Sequence, residues 1–199
     1  MHGGDRFTGP VRLDTEVATA LRELTDLAPL HQPKSLAALA AVSTALPKLP
    51  AVACFDTAFH GTLPQAAATY ALPAAWRERF GLRRFGFHGL SHAYASRRAQ
   101  EMLGRTELRV VTCHLGAGAS LAAVRDGRSM DTTMGFTPLE GLVMATRSGS
   151  VDPGLLLWLL EREAMTEGEM AAALEHEAGL AGLAGTADMR EVLARAEAG

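Results

Sequence analysis

The apolar positions near the start of the chain repeat at helical steps. Val17, Leu21, Leu24 and Leu27 fall on one face, and Asp14 precedes them as a capping acceptor for the first turn. This predicts a helix stopped by the loop Ala28-Pro29-Leu30-His31-Gln32-Pro33. An Ala- and Leu-rich stretch over about 35–46 predicts a second helix, which Pro47 ends. Next comes an unbroken apolar run, Ala51-Val52-Ala53-Cys54-Phe55, read as a buried parallel strand that ends at Asp56. Carboxylates at such strand ends often border a ligand crevice.

From Leu72 the pattern predicts a helix over 73–80, a strand over 84–87, a helix over 91–103, and a strand over 108–113 closing on His114. Two short strand-like runs, 120–124 and 129–133, flank Arg125-Asp126-Gly127-Arg128. Asp-Gly in that setting signals a tight hairpin. Beyond Ser150 the chain reads as helical. Asp152-Pro153 supplies a cap and first turn, and Thr166 with Glu169 supplies a capping box. No period of repetition appears.

Composition narrows the classes. The 199 residues are 48% hydrophobic and 21% charged, enough apolar material for an ordinary core. Apolar runs such as 155–160 are too short to cross a bilayer, and the first residues lack a secretory pattern, so the expectation is a cytoplasmic protein. Nineteen basic against 22 acidic residues, with no run of one sign, argue against nucleic-acid binding. Lys34 and Lys48 are the only lysines, and each follows a proline, so neither belongs to a Walker-type phosphate loop. Cys54 and Cys113 are isolated in sequence and are expected as buried apolar residues in strands.

Three segments carry candidate chemistry. His114-Leu115-Gly116-Ala117-Gly118 joins two predicted strands, and its glycines let backbone N–H groups approach an anion. Leu121 stands where a dinucleotide fingerprint needs a third glycine, which leaves an anion cradle or a plain glycine turn. In Phe87-His88-Gly89-Leu90-Ser91-His92, the two histidines have metal-ligand spacing without the glutamate of a zinc protease. His88 is placed in a strand-to-helix turn, and His92 reads as a helix-start histidine bonded locally. Ser91 lies in a near miss of the hydrolase nucleophile elbow, with Ala93 where glycine belongs. Arg147, in Thr146-Arg147-Ser148-Gly149, is either a guanidinium reaching into a cleft or a surface arginine. Asp56 either holds a metal or caps a turn.

Taken together, these stretches resemble the acetate kinase family. The resemblance rests on Phe55 to His60, Phe85 to His92, His114 to Gly118, Met134 to Gly141, Thr146 to Gly149, Asp152-Pro153 and Asp188-Met189-Arg190, in matching order and spacing. It implies an α/β, RNase H-like (actin-like ATPase) fold, present in part. Residues 1–58 would close the first domain, and 59–199 would begin the second, nucleotide-side domain. The implied reaction transfers a phosphoryl group between ATP and acetate with Mg²⁺, giving ADP and acetyl phosphate. In that frame Asp56, His88 and Arg147 are catalytic, Asp56 being also an indirect metal partner, and His31 lies in the substrate pocket. His114, Leu115, Gly116, Ala117, Gly118, Asp188, Met189 and Arg190 would line the nucleotide site. The chemistry is coherent, because phosphoryl transfer needs placement and charge neutralisation rather than a covalent helper.

Ala117 replaces an Asn common in the family, and Leu90 replaces a Thr. The family is about twice this length. The sequence lacks its acetate-binding arginine and first phosphate turn upstream, and its late magnesium-binding glutamate downstream. The expectation is therefore an impaired enzyme as an isolated chain, family members being typically homodimers. The rival reading is a non-catalytic chain that binds nucleotide weakly or needs a complementary polypeptide. A more distant one is a serine hydrolase using Ser91. Acetate and propionate differ by pocket volume around the acyl methyl, which these residues leave open.

Overall fold

The computed structural model describes residues 1–27 and 32–198. The N-terminal segment forms two helices and a small ladder. In helix α1 (Thr15–Glu23), the Asp14 carboxylate accepts the Val17 N–H at 2.8 Å. Leu21 is wholly buried and joins Ala53 and Phe55 in one apolar cluster, with Val17, Leu24 and Leu36 against it. Helix α2 (Gln32–Ala45) is already formed at Gln32, three residues before the predicted start. Pro33 is tolerated because N–H groups in a first turn have no intrahelical partner. The buried Gln32 amide accepts the His2 N–H at 3.0 Å and donates to the Leu21 carbonyl at 3.1 Å.

The expected buried parallel strand over 51–55 is corrected. Only Val52–Ala53 (β2) forms a ladder, and it pairs antiparallel with Val11–Arg12 (β1). Side chains alternate here: Ala53 and Phe55 point into the cluster, whereas Val52 and Cys54 are exposed. A ladder covered on one face only buries every second residue, whatever the polarity of the others.

The rest of the chain is built around a three-stranded antiparallel sheet in the order β3 (Arg109–Leu115), β4 (Ala119–Arg125), β5 (Arg128–Thr132). Before it come a 3₁₀ turn (Ala58–Thr62) and helices α3 (Gln65–Ala68), α4 (Ala74–Phe80) and α5 (Gly89–Leu103). The β4–β5 hairpin is as predicted. Asp126 and Gly127 both have positive φ, 53° and 76°, the requirement of a two-residue turn matched to strand twist. The predicted strand over 84–87 is not one. Phe85 and Gly86 both donate to the single carbonyl of Gly135, and Gly86 sits at φ +69°. A Cβ there would lie 2.7 Å from the His60 ring, so the glycine permits a close crossing that a ladder would forbid.

On β3, Thr112 and His114 face α5, leaving Val111, Cys113 and Leu115 on the opposite face. That face is uncovered among the described residues: Val111 is 65% exposed and Leu115 74%. Both cysteines are therefore exposed rather than buried. The chain continues through α6 (Pro153–Glu161), α7 (Glu167–Ala172), a π-turn (Ala173–Glu177), α8 (Gly179–Ala184) and α9 (Met189–Ala198). Asp152 caps α6, and Thr166 with Glu169 forms the predicted capping box on α7.

Candidate functional site

The site starts from a helix terminus that another segment caps. His88 takes a left-handed conformation, φ 57°, at the N-cap of α5, and its side chain does not cap the helix. Instead Asp56 Oδ2 accepts the His88 N–H at 2.7 Å, and the Asp56 carbonyl accepts the Gly89 N–H at 2.7 Å. A Cβ at residue 89 would strike that carbonyl, which explains the glycine. Asp56 is thus the cap of α5, a placement that also suits a carboxylate near a helix N-terminus.

With its backbone fixed, the His88 ring stacks on His114 from β3, centroids 3.9 Å apart. His88 Nδ1 lies 2.9 Å from Ser120 Oγ, and His114 Nδ1 lies 3.0 Å from Ser91 Oγ. A second, buried layer sits behind. His92 Nε2 lies 2.8 Å from Ser120 Oγ, and its Nδ1 lies 2.8 Å from Thr112 Oγ1, so His92 bonds across to the sheet rather than locally. His60 bridges Ser129 Oγ at 2.8 Å and the Phe87 carbonyl at 3.0 Å. Burial pushes His88 and His92 down to about 4, assisted by the imidazoles of His114 beside His88 and of His60 beside His92. Burial lowers His60 as well. These rings are neutral at pH 7.

The glycine loop 116–118 connects β3 to β4. Gly116 donates to the Gly118 carbonyl at 3.1 Å, and the Ala117 carbonyl accepts the Ala145 N–H at 3.1 Å. The Ala117 and Gly118 N–H groups make no hydrogen bond among the described residues. A Cβ at Gly118 would lie 3.3 Å from His88 Nε2 and 3.4 Å from Arg147 Nη1, so both donors converge on this point. Arg147 is half-buried, and its Nη1 donates to the Pro138 carbonyl at 3.3 Å.

The loop bearing Pro138 is pinned by groups that sequence reasoning did not single out. Arg84 pairs with Glu140 at 2.8 Å and donates to the carbonyls of Thr132, Thr133 and Met134. Tyr70 donates to Glu140 at 2.5 Å and accepts the Phe136 N–H at 2.8 Å. Burial, then Glu140, pushes the Tyr70 phenol up. The visible signal was the charge pair inside otherwise apolar motifs. Ser120 and Thr112 were missed too, although hydroxyls on the inner face of strands flag a buried polar partner.

The structure therefore brings together Asp56, His88, His114, Gly116, Ala117, Gly118 and Arg147. Leu115 contributes only backbone, its side chain pointing away. Among the described residues, Asp188, Met189 and Arg190 make no hydrogen bond or ion pair with this group. Asp188 and Arg190 pair with each other in the open, and the Arg190 guanidinium holds the Asp188 carboxyl down to about 2. His31 lies outside the described residues. Ser91 and His114 form a serine–imidazole contact, but no carboxylate hydrogen-bonds that ring among the described residues, which leaves the hydrolase reading without its third group. Among the described residues no cluster of three metal-ligating side chains occurs, and no described cavity is lined by Asp56, His88 or Arg147. One cavity, of about 620 Å³, lies instead between α1 and α2. No helix among the described residues is long and apolar enough to cross a membrane.

Comparison with known proteins supplies the class. A propionate kinase from Francisella tularensis superposes with a TM-score of 0.96 at 40% identity, covering all of this chain and 52% of that one. The acetate kinase of Porphyromonas gingivalis does so at 0.92 and 41%, covering 98% and 50%. The fold is thus that of the actin-like ATPases, in an enzyme family of small-carboxylate kinases. A model of the acetokinase family matches residues 1–199, and the chain belongs to that family. The acetate kinase of Bacillus mycoides is 48% identical over 202 residues, covering 100% of this chain and 51% of the relative. That of Deinococcus radiodurans is 53% identical over 195 residues, covering 96% and 49%. The chain spans about half the length of the curated relatives it matches.

Proposed function

We propose that this chain carries the phosphoryl-transfer groups of an acetate kinase. A carboxylate oxygen of acetate attacks the γ-phosphorus of ATP, the bond to the β-bridging oxygen breaks, and acetyl phosphate and ADP leave. The observation that carries this reading is the convergence of His88 Nε2 and Arg147 Nη1 on Gly118, beside two unpartnered backbone N–H groups. Donors set around one point suit the equatorial oxygens of a transferring phosphoryl group. Asp56 keeps Oδ1 free of hydrogen bonds among the described residues and would hold Mg²⁺, directly or through water, which would neutralise phosphate charge. Asp188 to Arg190 would line the nucleotide site from α9. The domain division would fall at about residue 58, a reading supported by the separate apolar clusters around Leu21 and Phe55 and around Phe87 and Met134.

The test is acetyl phosphate formation from ATP, Mg²⁺ and acetate by the protein that carries this chain. Arg147→Ala should lower kcat by about a thousandfold or more, as loss of a guanidinium on the transferring group does elsewhere. Activity within tenfold of the parent would sink the assignment. One observation favours a second reading for the 199 residues in isolation. The β3 face carrying Val111 and Leu115 is uncovered among the described residues, so these residues alone would bind nucleotide weakly or need a complementary chain. Full turnover by the isolated 199 residues would overturn that reading. Sedimentation would show whether the intact protein is a homodimer, a role that Leu155, Leu157 and Trp158, left exposed on α6, support.

A further inference from the structure

Four hydrogen-bonding groups stand in line behind the site. Thr112 Oγ1 lies 2.8 Å from His92 Nδ1, His92 Nε2 lies 2.8 Å from Ser120 Oγ, and Ser120 Oγ lies 2.9 Å from His88 Nδ1. Thr112, His92 and Ser120 are buried, and His88 alone reaches the opening beside Gly118. Each neutral imidazole has one donor and one acceptor, and each hydroxyl has one proton. The line can therefore be satisfied in only two directions, and both ends must agree.

If Thr112 accepts from His92, its own buried proton has only the Ala122 carbonyl at 3.5 Å, beyond the range of an O–H···O bond. The chain would then orphan a buried hydroxyl, which is costly. If Thr112 donates to His92 Nδ1, every buried group is paired. His92 Nε2–H donates to Ser120, Ser120 donates to His88 Nδ1, and the one free proton is His88 Nε2–H, at the half-buried end. His60 provides an internal reference, because the Phe87 carbonyl can only accept and so fixes that ring as the Nε2–H form. Asp56 touches His88 through the backbone N–H, so no carboxylate sets the tautomer of the His88 ring.

We propose that Thr112, His92 and Ser120 are positioning residues that hold His88 in its Nε2–H tautomer, presenting a neutral N–H donor beside Arg147. The catalytic consequence rests on the phosphoryl-transfer reading; the tautomer itself does not. A neutral ring gives His88 a directed hydrogen bond without adding a second cation next to the guanidinium.

The experiment uses the intact protein with ¹⁵N-labelled histidine at pH 7, read by two-bond proton–nitrogen correlations. His88, His92 and His60 should all show protonated Nε2 and bare Nδ1. Thr112→Val keeps the shape, removes the hydroxyl three hydrogen bonds from His88, and should turn the His88 signal into a tautomer mixture. It should also lower kcat roughly threefold to tenfold, the span of one net hydrogen bond, with KM for ATP unchanged. Thr112→Ser should restore both readouts. An Nδ1–H form of His88 in the parent, or an unchanged His88 signal in Thr112→Val, would overturn the relay. The predicted tautomers in a protein that forms no acetyl phosphate would instead sink the kinase reading and leave the relay standing.

Discussion

Two glycine-containing turns leave opposite ends of strand β4, and they are put to different uses. The Asp126-Gly127 turn serves itself. Its two left-handed residues reverse the chain at the pitch the strands require, and a Cβ on Gly127 would meet only the Gln100 side chain, 3.6 Å away. The 116–118 loop is bordered instead by His88, Arg147 and Ala145, with two N–H groups left over. A glycine turn becomes a candidate site through what other segments bring to it. The nearby His88 and Arg147 come from 28 or more residues away in sequence, so no inspection of the turn alone separates the two cases.

The most severe way to break this comparison is to fill the space at Gly118. Gly118→Val would push on His88 Nε2 and Arg147 Nη1, and displacements approaching 1 Å near reacting groups cost on the order of a hundredfold. The expected outcome is a kcat about 100-fold down with the melting temperature nearly unchanged. A variant with parental kcat would mean that the loop is merely structural, like its counterpart.

The two ends of β4 also differ in what titrates around them. The 116–118 end is backed by His88, His92 and His60, all lowered, and His2 is lowered to about 4, chiefly by burial. In the unfolded chain these imidazoles take up protons near 6.5, whereas folded His2, His88 and His92 resist until about 4, and folded His60 is lowered as well. Stability should thus be complete above pH 6.5, fall as the pH drops from 6.5 to 4, and level off below. His2 alone accounts for roughly 3 kcal/mol across that window. Denaturant midpoints at pH 7, 5.5 and 4 would check this, and a flat profile would contradict neutral buried rings.

At the other end of β4 the expected effect is smaller and confined to folding. Gly127→Ala must hold a Cβ at φ 76°, a strain of about 1–2 kcal/mol, with no neighbour to clash. Denaturation should show that loss, while kcat per folded molecule stays at the parental value. A drop in kcat would show that the hairpin end of the sheet communicates with the site.

The contrast marks how far the residues alone could be read. Local rules carried the Asp126-Gly127 hairpin, the Asp14 cap on α1 and the Thr166–Glu169 box, because each is closed within a few residues. The grouping of Asp56, His88, His114 and Arg147 was legible only through resemblance to a family, since it is made by contacts between distant segments. Cys54 and Cys113 misled for a related reason. An apolar run says that residues tolerate burial, but the covering of a strand face is set elsewhere, and the face carrying Val111, Cys113 and Leu115 is bare among the described residues. The strand expected through Gly86 does not form, because its φ of +69° answers to the His60 ring, 26 positions away.

The gentlest change probes how the 116–118 loop would hold phosphate. Ala117 is exposed, and its one hydrogen bond in the structure runs through its carbonyl, to the Ala145 N–H. If the loop works through backbone N–H groups, the side chain at 117 is a bystander, because those donors are the same for any residue that keeps the turn. Ala117→Asn should then alter kcat/KM for ATP by less than about twofold, and leave the melting temperature in place, as exposed substitutions usually do. A tenfold change in either direction would show that a side chain here reaches the nucleotide. The loop would then differ from the Asp126-Gly127 turn in side-chain chemistry as well as in its neighbours, and the backbone account of the site would need replacing.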